Sequence, residues 1–292
     1  MLKIEKLPSS LSTSALILSE RQPNRYYATK LVNDPIIERD PQGLPAAVGS
    51  AFDYYIKCKL IADKFHHKED MLEGIKKGVE SNIVEAFQWG KSTYEIYAMK
   101  AFDEDEYADV ELWIGKSIQY KGTKIPLYGK LDATSYDVLP ITGKTIIIPF
   151  DWKLSGYSSK DTRSPYPYYY WSCENGIILK GKHKDYVVDV PFHYINEDWA
   201  TQLCTYGWLI GMPPGIPFPA RIDMLCFDRG KKVTITKYRG LITAEWQERV
   251  AMRYKNLWDS LMDESFLNNL ASQKDHNIVW LKAQTETWFK QY

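Results

Sequence analysis

Two short runs hold the residue types that phosphodiester chemistry needs. Gly129-Lys130-Leu131-Asp132-Ala133 and, after a turn, Ile146-Ile147-Ile148-Pro149-Phe150-Asp151-Trp152-Lys153 each place a carboxylate on one face of an expected strand. Lys153 follows Asp151 by two positions, so alternation returns its ammonium to the aspartate side. Two acidic groups can hold a hard divalent cation through oxygen, and a nearby ammonium can orient a water or steady charge growing on phosphate. The layout suits metal-dependent phosphodiester hydrolysis.

The elements around these runs are legible from periodicity. Val48, Phe52, Ile56 and Leu60, then Met71, Ile75, Val79, Ile83 and Phe87, recur at helical spacing and predict helices from Ala46 to about His66 and from Glu69 to about Phe102. Val110, Leu112 and Ile114 alternate, as do Ile125, Leu127 and Leu131, and Ile146, Ile148 and Phe150, which predicts three successive strands. Asp132, Asp151 and Lys153 carry the opposite parity and leave the apolar face.

Asn196-Glu197-Asp198 is a helix start, with a capping amide and two acids at the positive dipole end; Gly211 and Pro213 are a stop. Gln202 and Tyr206 stand four apart inside that helix. A short apolar helix around Ala15–Leu18, a hairpin near Gly181–Lys184, a second hairpin turning at Asp228–Lys231 and a final helix from about Thr243 complete the reading.

Composition sets the outer bounds. Lys plus Arg (37) equals Asp plus Glu (37), so affinity for nucleic acid must come from a local basic groove and bound metal rather than from the overall field. Cys58, Cys173, Cys204 and Cys226 form no CxxC pair and are too scattered for a disulfide framework. No apolar run reaches the length of a membrane span and no leader-like start is seen, which gives an expectation of a cytoplasmic protein with no membrane partner, in the host cytoplasm if phage-encoded.

In order and approximate spacing, Gly129-Lys130-Leu131-Asp132, Asp151-Trp152-Lys153 and Gln202-Leu203-Cys204-Thr205-Tyr206 resemble the Gly-x-x-Asp, Asp-x-Lys and Gln-x-x-x-Tyr motifs of the PD-(D/E)XK nuclease superfamily, in its RecB-like exonuclease branch. The resemblance covers roughly residues 10 to 240. It implies an α/β fold, a central mixed β-sheet flanked by helices with a restriction-endonuclease-like core.

It further implies Asp132, Asp151, Lys153, Gln202 and Tyr206 as catalytic residues, and Mg2+ or Mn2+, one or two ions, held by Asp132, Asp151 and the Trp152 backbone carbonyl. The branch's glycine-led helix falls on Gly49-Ser50-Ala51-Phe52-Asp53, with aspartate in place of the usual histidine, so Asp53 becomes a further ligand. The early position of the branch's iron-sulfur cysteines falls near Gln22, and no cysteine follows Cys226, so no cluster is expected.

The implied activity is a DNA nuclease, an exonuclease of recombination, repair or phage DNA processing, with DNA and a single-strand-binding or annealing protein as partners. A restriction-type or structure-specific endonuclease on the same chemistry, and an inactive nucleic-acid-binding or assembly protein of the same fold, are the alternatives. Gln202 and Tyr206 are also substrate-binding candidates. The Tyr166–Trp171 run reads either as packing for a long loop or as a stacking surface for unpaired bases, with Lys160 and Arg163 beside it to meet phosphates. Glu111 is expected as an outward-facing charge, and His66 and His67 as surface residues. Because the informative residues span the middle of the chain, one domain is expected over 1–292: helical to 105, a sheet core over 106–240, and a helical part over 241–292.

Overall fold

The computed structural model describes residues 7–31, 44–60, 84–103, 106–138, 143–156, 169–172, 176–178, 190–228 and 232–263. In chain order its elements are helices α1 (Thr13–Arg21), α2 (Pro23–Tyr26), α3 (Leu44–Leu60) and α4 (Val84–Lys100), then strands β1 (Tyr107–Tyr120), β2 (Thr123–Val138), β3 (Thr145–Gly156), β4 (Tyr169–Ser172), β5 (Gly176–Ile178) and β6 (Val190–Pro191). Helix α5 (Glu197–Ile210), strands β7 (Phe218–Asp228) and β8 (Lys232–Ile242), and helix α6 (Ala244–Met262) follow. The strands form one mixed sheet in the order β1-β2-β3-β7-β8-β4-β5, with β6 against β8, so the expected class of a mixed sheet with flanking helices is the one observed.

The chain divides into two compact units, Met1–Arg39 with Gly115–Tyr128 and Glu248–Tyr292, and Asp40–Ile114 with Gly129–Gln247. In the first, Ser12 caps α1 by accepting from the Ala15 N–H, Leu11 forms a bridge with Leu127, and the Arg253 guanidinium pairs with Glu20.

The second unit contains every motif of the Asp-Asp-Lys, Gln-Tyr set. Its core lies between α3 and α4 and one face of the sheet: Val48, Phe52 and Ile56 of α3 and Tyr97 of α4 pack with Val110, Ala133, Phe150, Trp152 and Leu225. Each large side chain buried this way contributes roughly 1.5–3 kcal/mol. The two helices approach closely because Gly90 has no side chain; a Cβ there would lie 2.6 Å from the Ala51 Cβ.

Sheet register fixes the opposite face. β2 and β3 pair antiparallel with Ala133 opposite Phe150, and β3 and β7 pair parallel with Trp152 beside Asp223. Phe150 and Trp152 therefore face the core, and Asp151 and Lys153 face the other way. Helix α5 reads as the sequence predicts: the Asn196 side chain accepts from the Trp199 N–H, and Gly211 closes the helix at φ 108°, a left-handed conformation that favours glycine.

The second predicted helix is described only from Val84, so Met71, Ile75, Val79 and Ile83 lie outside the described residues, as do His66, His67, Lys160, Arg163, Cys173 and the Gly181–Lys184 hairpin. Tyr166–Tyr168 also fall outside; Tyr169–Ser172 form β4, which pairs with β5 in a short hairpin and with β8. Among the described residues no helix is long and apolar enough to cross a membrane.

Candidate metal centre

Asp132 and Asp151 come together through the β2–β3 register. One step beyond the Ala133–Phe150 pair places them side by side, close enough for each carboxyl group to shift the other's pKa. Asp151 is fully buried and the Lys153 ammonium abuts it. Neither Asp151 oxygen has a hydrogen-bond donor in good geometry, a costly condition for a buried carboxyl unless a cation or proton compensates.

The other side of Asp132 holds Asp53, the residue the glycine-led helix motif points to, together with Glu111 and Lys57, which no motif singles out. Asp53 of α3 and Glu111 of β1 bring carboxylate oxygens to Asp132, all within 4.8 Å of one another. Between them lies the ammonium of Lys57, 2.7 Å from Asp53 Oδ2, 2.7 Å from Asp132 Oδ1 and in contact with Glu111. The Lys57 side chain is 0% exposed. Lys130 reaches the second Glu111 oxygen at 2.6 Å.

The expectation of an outward-facing Glu111 is corrected: it is 4% exposed and sits at φ 54°, a left-handed conformation that costs a non-glycine residue on the order of 1–2 kcal/mol. Alternation did put Glu111 opposite the buried Val110, but that face of β1 looks onto Asp132 and α3 rather than onto solvent. Two charged residues four apart on an amphipathic helix, Asp53 and Lys57, ordinarily form a surface pair, so Lys57 drew no attention. The available signal was the stripe Val48, Phe52, Ile56, which leaves Asp53 and Lys57 on its flank, level with the sheet edge.

Helix α5 supplies a relay. Lys153 Nζ donates to Gln202 Oε1 at 2.8 Å, Gln202 Nε2 donates to the Tyr206 hydroxyl at 2.8 Å, and that hydroxyl donates to the Lys130 carbonyl at 2.8 Å. Spacing of four on the helix makes the Gln202–Tyr206 contact, and the last bond ties the helix to β2 beside Asp132. Gly129 permits the approach, because a Cβ there would meet Leu209 Cδ1 at 2.6 Å and Tyr206 Cε1 at 3.3 Å. The Tyr206 hydroxyl proton is thus engaged with backbone, and Gln202 has its amide oxygen on Lys153.

Electrostatics separate the acids. Burial, followed by repulsion from Asp132, carries Asp151 well above the usual carboxylate range despite Lys153. Burial also pushes Asp132 up, but Lys57, the hydrogen bond from Asp151 and Lys153 together outweigh it and hold Asp132 low. Full ionisation of both carboxyls is therefore disfavoured, with Asp151 the one pushed up and Asp132 the one held down. Burial first, then the charges of Asp132 and Glu111, raise Asp53 to about 7 against the pull of Lys57. Burial disfavours the Lys57 and Lys153 ammonium groups, but their carboxylate neighbours outweigh it and keep both charged.

These residues fit a divalent cation. The donors are carboxylate oxygens, the hard type such ions take, and a cation already stands among three of them in the form of the Lys57 ammonium. The buried Asp151 carboxyl, with the Lys153 ammonium against one of its oxygens, adds a further hard donor group. Of the cysteines, Cys204 and Cys226 are buried and Cys58 is partly so, and all three stand as thiols rather than in disulfides.

No family model and no curated protein matches the chain. Among solved structures it is similar to a presumed exonuclease from Eubacterium rectale, at 14% identity over 92% of this chain and 88% of that one, with a TM-score of 0.48. It is also similar to SSO0001, at 14% identity over 72% and 74% of the two chains, with a TM-score of 0.27. At such overlap the functional reading rests on the residues themselves.

Proposed function

We propose that the protein is a metal-dependent DNA nuclease of the RecB-like, PD-(D/E)XK type, acting as an exonuclease in recombination, repair or phage DNA processing. The observation that carries this reading is the convergence of Asp132, Asp151 and Lys153 on one face of the sheet, with Gln202 and Tyr206 bonded in sequence behind the lysine. The element order around it, helix α3, strands β1 to β3, helix α5 and strand β7, supports a restriction-endonuclease-like core.

Asp132, Asp151 and the Trp152 carbonyl would hold Mg2+ or Mn2+, with Asp53 and Glu111 on the far side of Asp132. A divalent ion bound there supplies Lewis-acid polarisation of a phosphate oxygen and makes neighbouring water more acidic. Lys153 presents its ammonium beside Asp151, where it steadies the charge that grows on phosphate as water adds to phosphorus and the P–O bond breaks. Gln202 holds Lys153 at one angle, and Tyr206 holds Gln202, so both act by positioning. Trp113 of β1 is 61% exposed with the Lys130 ammonium 5.4 Å above its ring; it is the described aromatic best placed to stack an unpaired base beside the acids. Lys160 and Arg163 remain candidates for phosphate contact, and the DNA end and an annealing or single-strand-binding protein remain the proposed partners.

A time course on end-labelled linear DNA and on closed circles, with Mg2+ or Mn2+ at fixed salt, tests the reading. The proposal expects the linear substrate to be shortened and the circle spared. Cleaved circles would support the endonuclease alternative, and no cleavage of either would support the binding protein.

A further inference from the structure

We propose that Lys57 is a built-in second cation of this centre: its ammonium takes the place between Asp53, Glu111 and Asp132 that a second divalent ion would fill, so the site loads one ion, against Asp132 and Asp151. The inference rests on the metal-dependent reading above and deepens it.

Two observations and a physical argument carry it. The Lys57 ammonium lies 2.7 Å from Asp53 and 2.7 Å from Asp132 and touches Glu111, so one nitrogen meets all three members of a carboxylate group compact enough to be a metal site. The side chain is 0% exposed and leaves α3 on the flank of the fully buried Phe52 and Ile56, so its stem is covered and its head is screened by its carboxylate partners. Freeing the site for an ion would mean pulling a charged head from three partners at once, a loss that a buried cation does not recover elsewhere in the core.

Charge balance agrees. Asp53, Glu111, Asp132 and Asp151 face the ammonium groups of Lys57, Lys130 and Lys153, so full ionisation leaves one net negative charge. One divalent ion turns that into one net positive charge. A second would crowd further positive charge against three ammonium groups. Without Lys57 the same carboxylates form a vacant hard-donor cage, which a second ion fits.

The test counts ions rather than turnover. The full chain is titrated with Mn2+ alone, by calorimetry and by the free-Mn2+ signal in electron paramagnetic resonance, as wild type, Lys57→Met and Lys57→Arg, each checked for folding by circular dichroism. The expected counts are one Mn2+ per chain for wild type and Lys57→Arg, and two for Lys57→Met. Two ions in wild type, or one in a folded Lys57→Met, would overturn the proposal while leaving the nuclease reading intact. No Mn2+ bound by wild type would remove both. If Lys57→Met fails to fold, the wild-type count still decides, together with Glu111→Gln: loss of the single ion in that variant would overturn the proposal, and retention supports it.

Discussion

Asp151 and Asp223 sit on adjacent strands, one register step apart, both fully buried, and they meet opposite fates. Asp223 shares the core face with Trp152; the Tyr97 hydroxyl donates to it and to nothing catalytic, the Trp152 indole N–H donates to Tyr97 at 3.3 Å, and Lys237 stands 3.9 Å away. Arg221 close by is paired with Glu106 at 2.9 Å. Asp151 faces Asp132 and Lys153, with neither oxygen hydrogen-bonded in good geometry. The same residue type in the same sheet is tied to tyrosine and packing on one side and set against a second acid and a lysine on the other. Burial alone does not mark a functional acid; the chemistry of its neighbours does.

The strongest way to break this comparison is to neutralise each aspartate. Asp151→Asn should bring DNA cleavage to background with the thermal melting temperature kept or raised, since burial and Asp132 already disfavour a charge at that position. Asp223→Asn should leave cleavage in place and change pH dependence of stability instead. Burial raises the folded pKa of Asp223, so the stability it contributes is complete below the unfolded value of about 3.9 and is lost as pH rises through the raised one. The variant should therefore lose less stability than wild type on going from pH 4 to neutrality, measured by denaturant unfolding.

Lys153→Ala comes next, with the cleavage rate falling roughly 10²- to 10⁴-fold and DNA affinity little changed, checked by single-turnover kinetics. Tyr206→Phe breaks the relay without emptying its space, and the cleavage rate should fall roughly 10- to 100-fold with Mn2+ affinity measured alongside. Trp113→Ala should act least, weakening single-stranded DNA binding by about 1 kcal/mol in a fluorescence titration while leaving the single-turnover rate unchanged.

Much of this was legible in the sequence because local rules and tertiary demands agree there. Asn196 and Gly211 cap α5 by ordinary chemistry, and strict alternation in β2, with Leu131 and Ala133 buried, fixed which way Asp132 points. Glu111 reads as solvent-facing and Lys57 carries no signal of its own for one physical reason: each lies where two elements converge. A charged residue opposite the core reads as exposed until a helix brings a countercharge to that face. Lys130 and Trp113 escaped similarly, since a lysine over an aromatic ring depends on two neighbouring strands rather than on one. Asp223 and Tyr97 are 126 positions apart and no local pattern joins them.

The central claim is that Asp151, not Asp223, belongs to a cation-dependent cleaving site, and the most direct measurement is a side-by-side assay of both asparagine variants on end-labelled linear DNA with Mg2+ or Mn2+. The account predicts full-length DNA with Asp151→Asn and shortened DNA with Asp223→Asn and wild type. Cleavage by purified Asp151→Asn at the wild-type rate would contradict it.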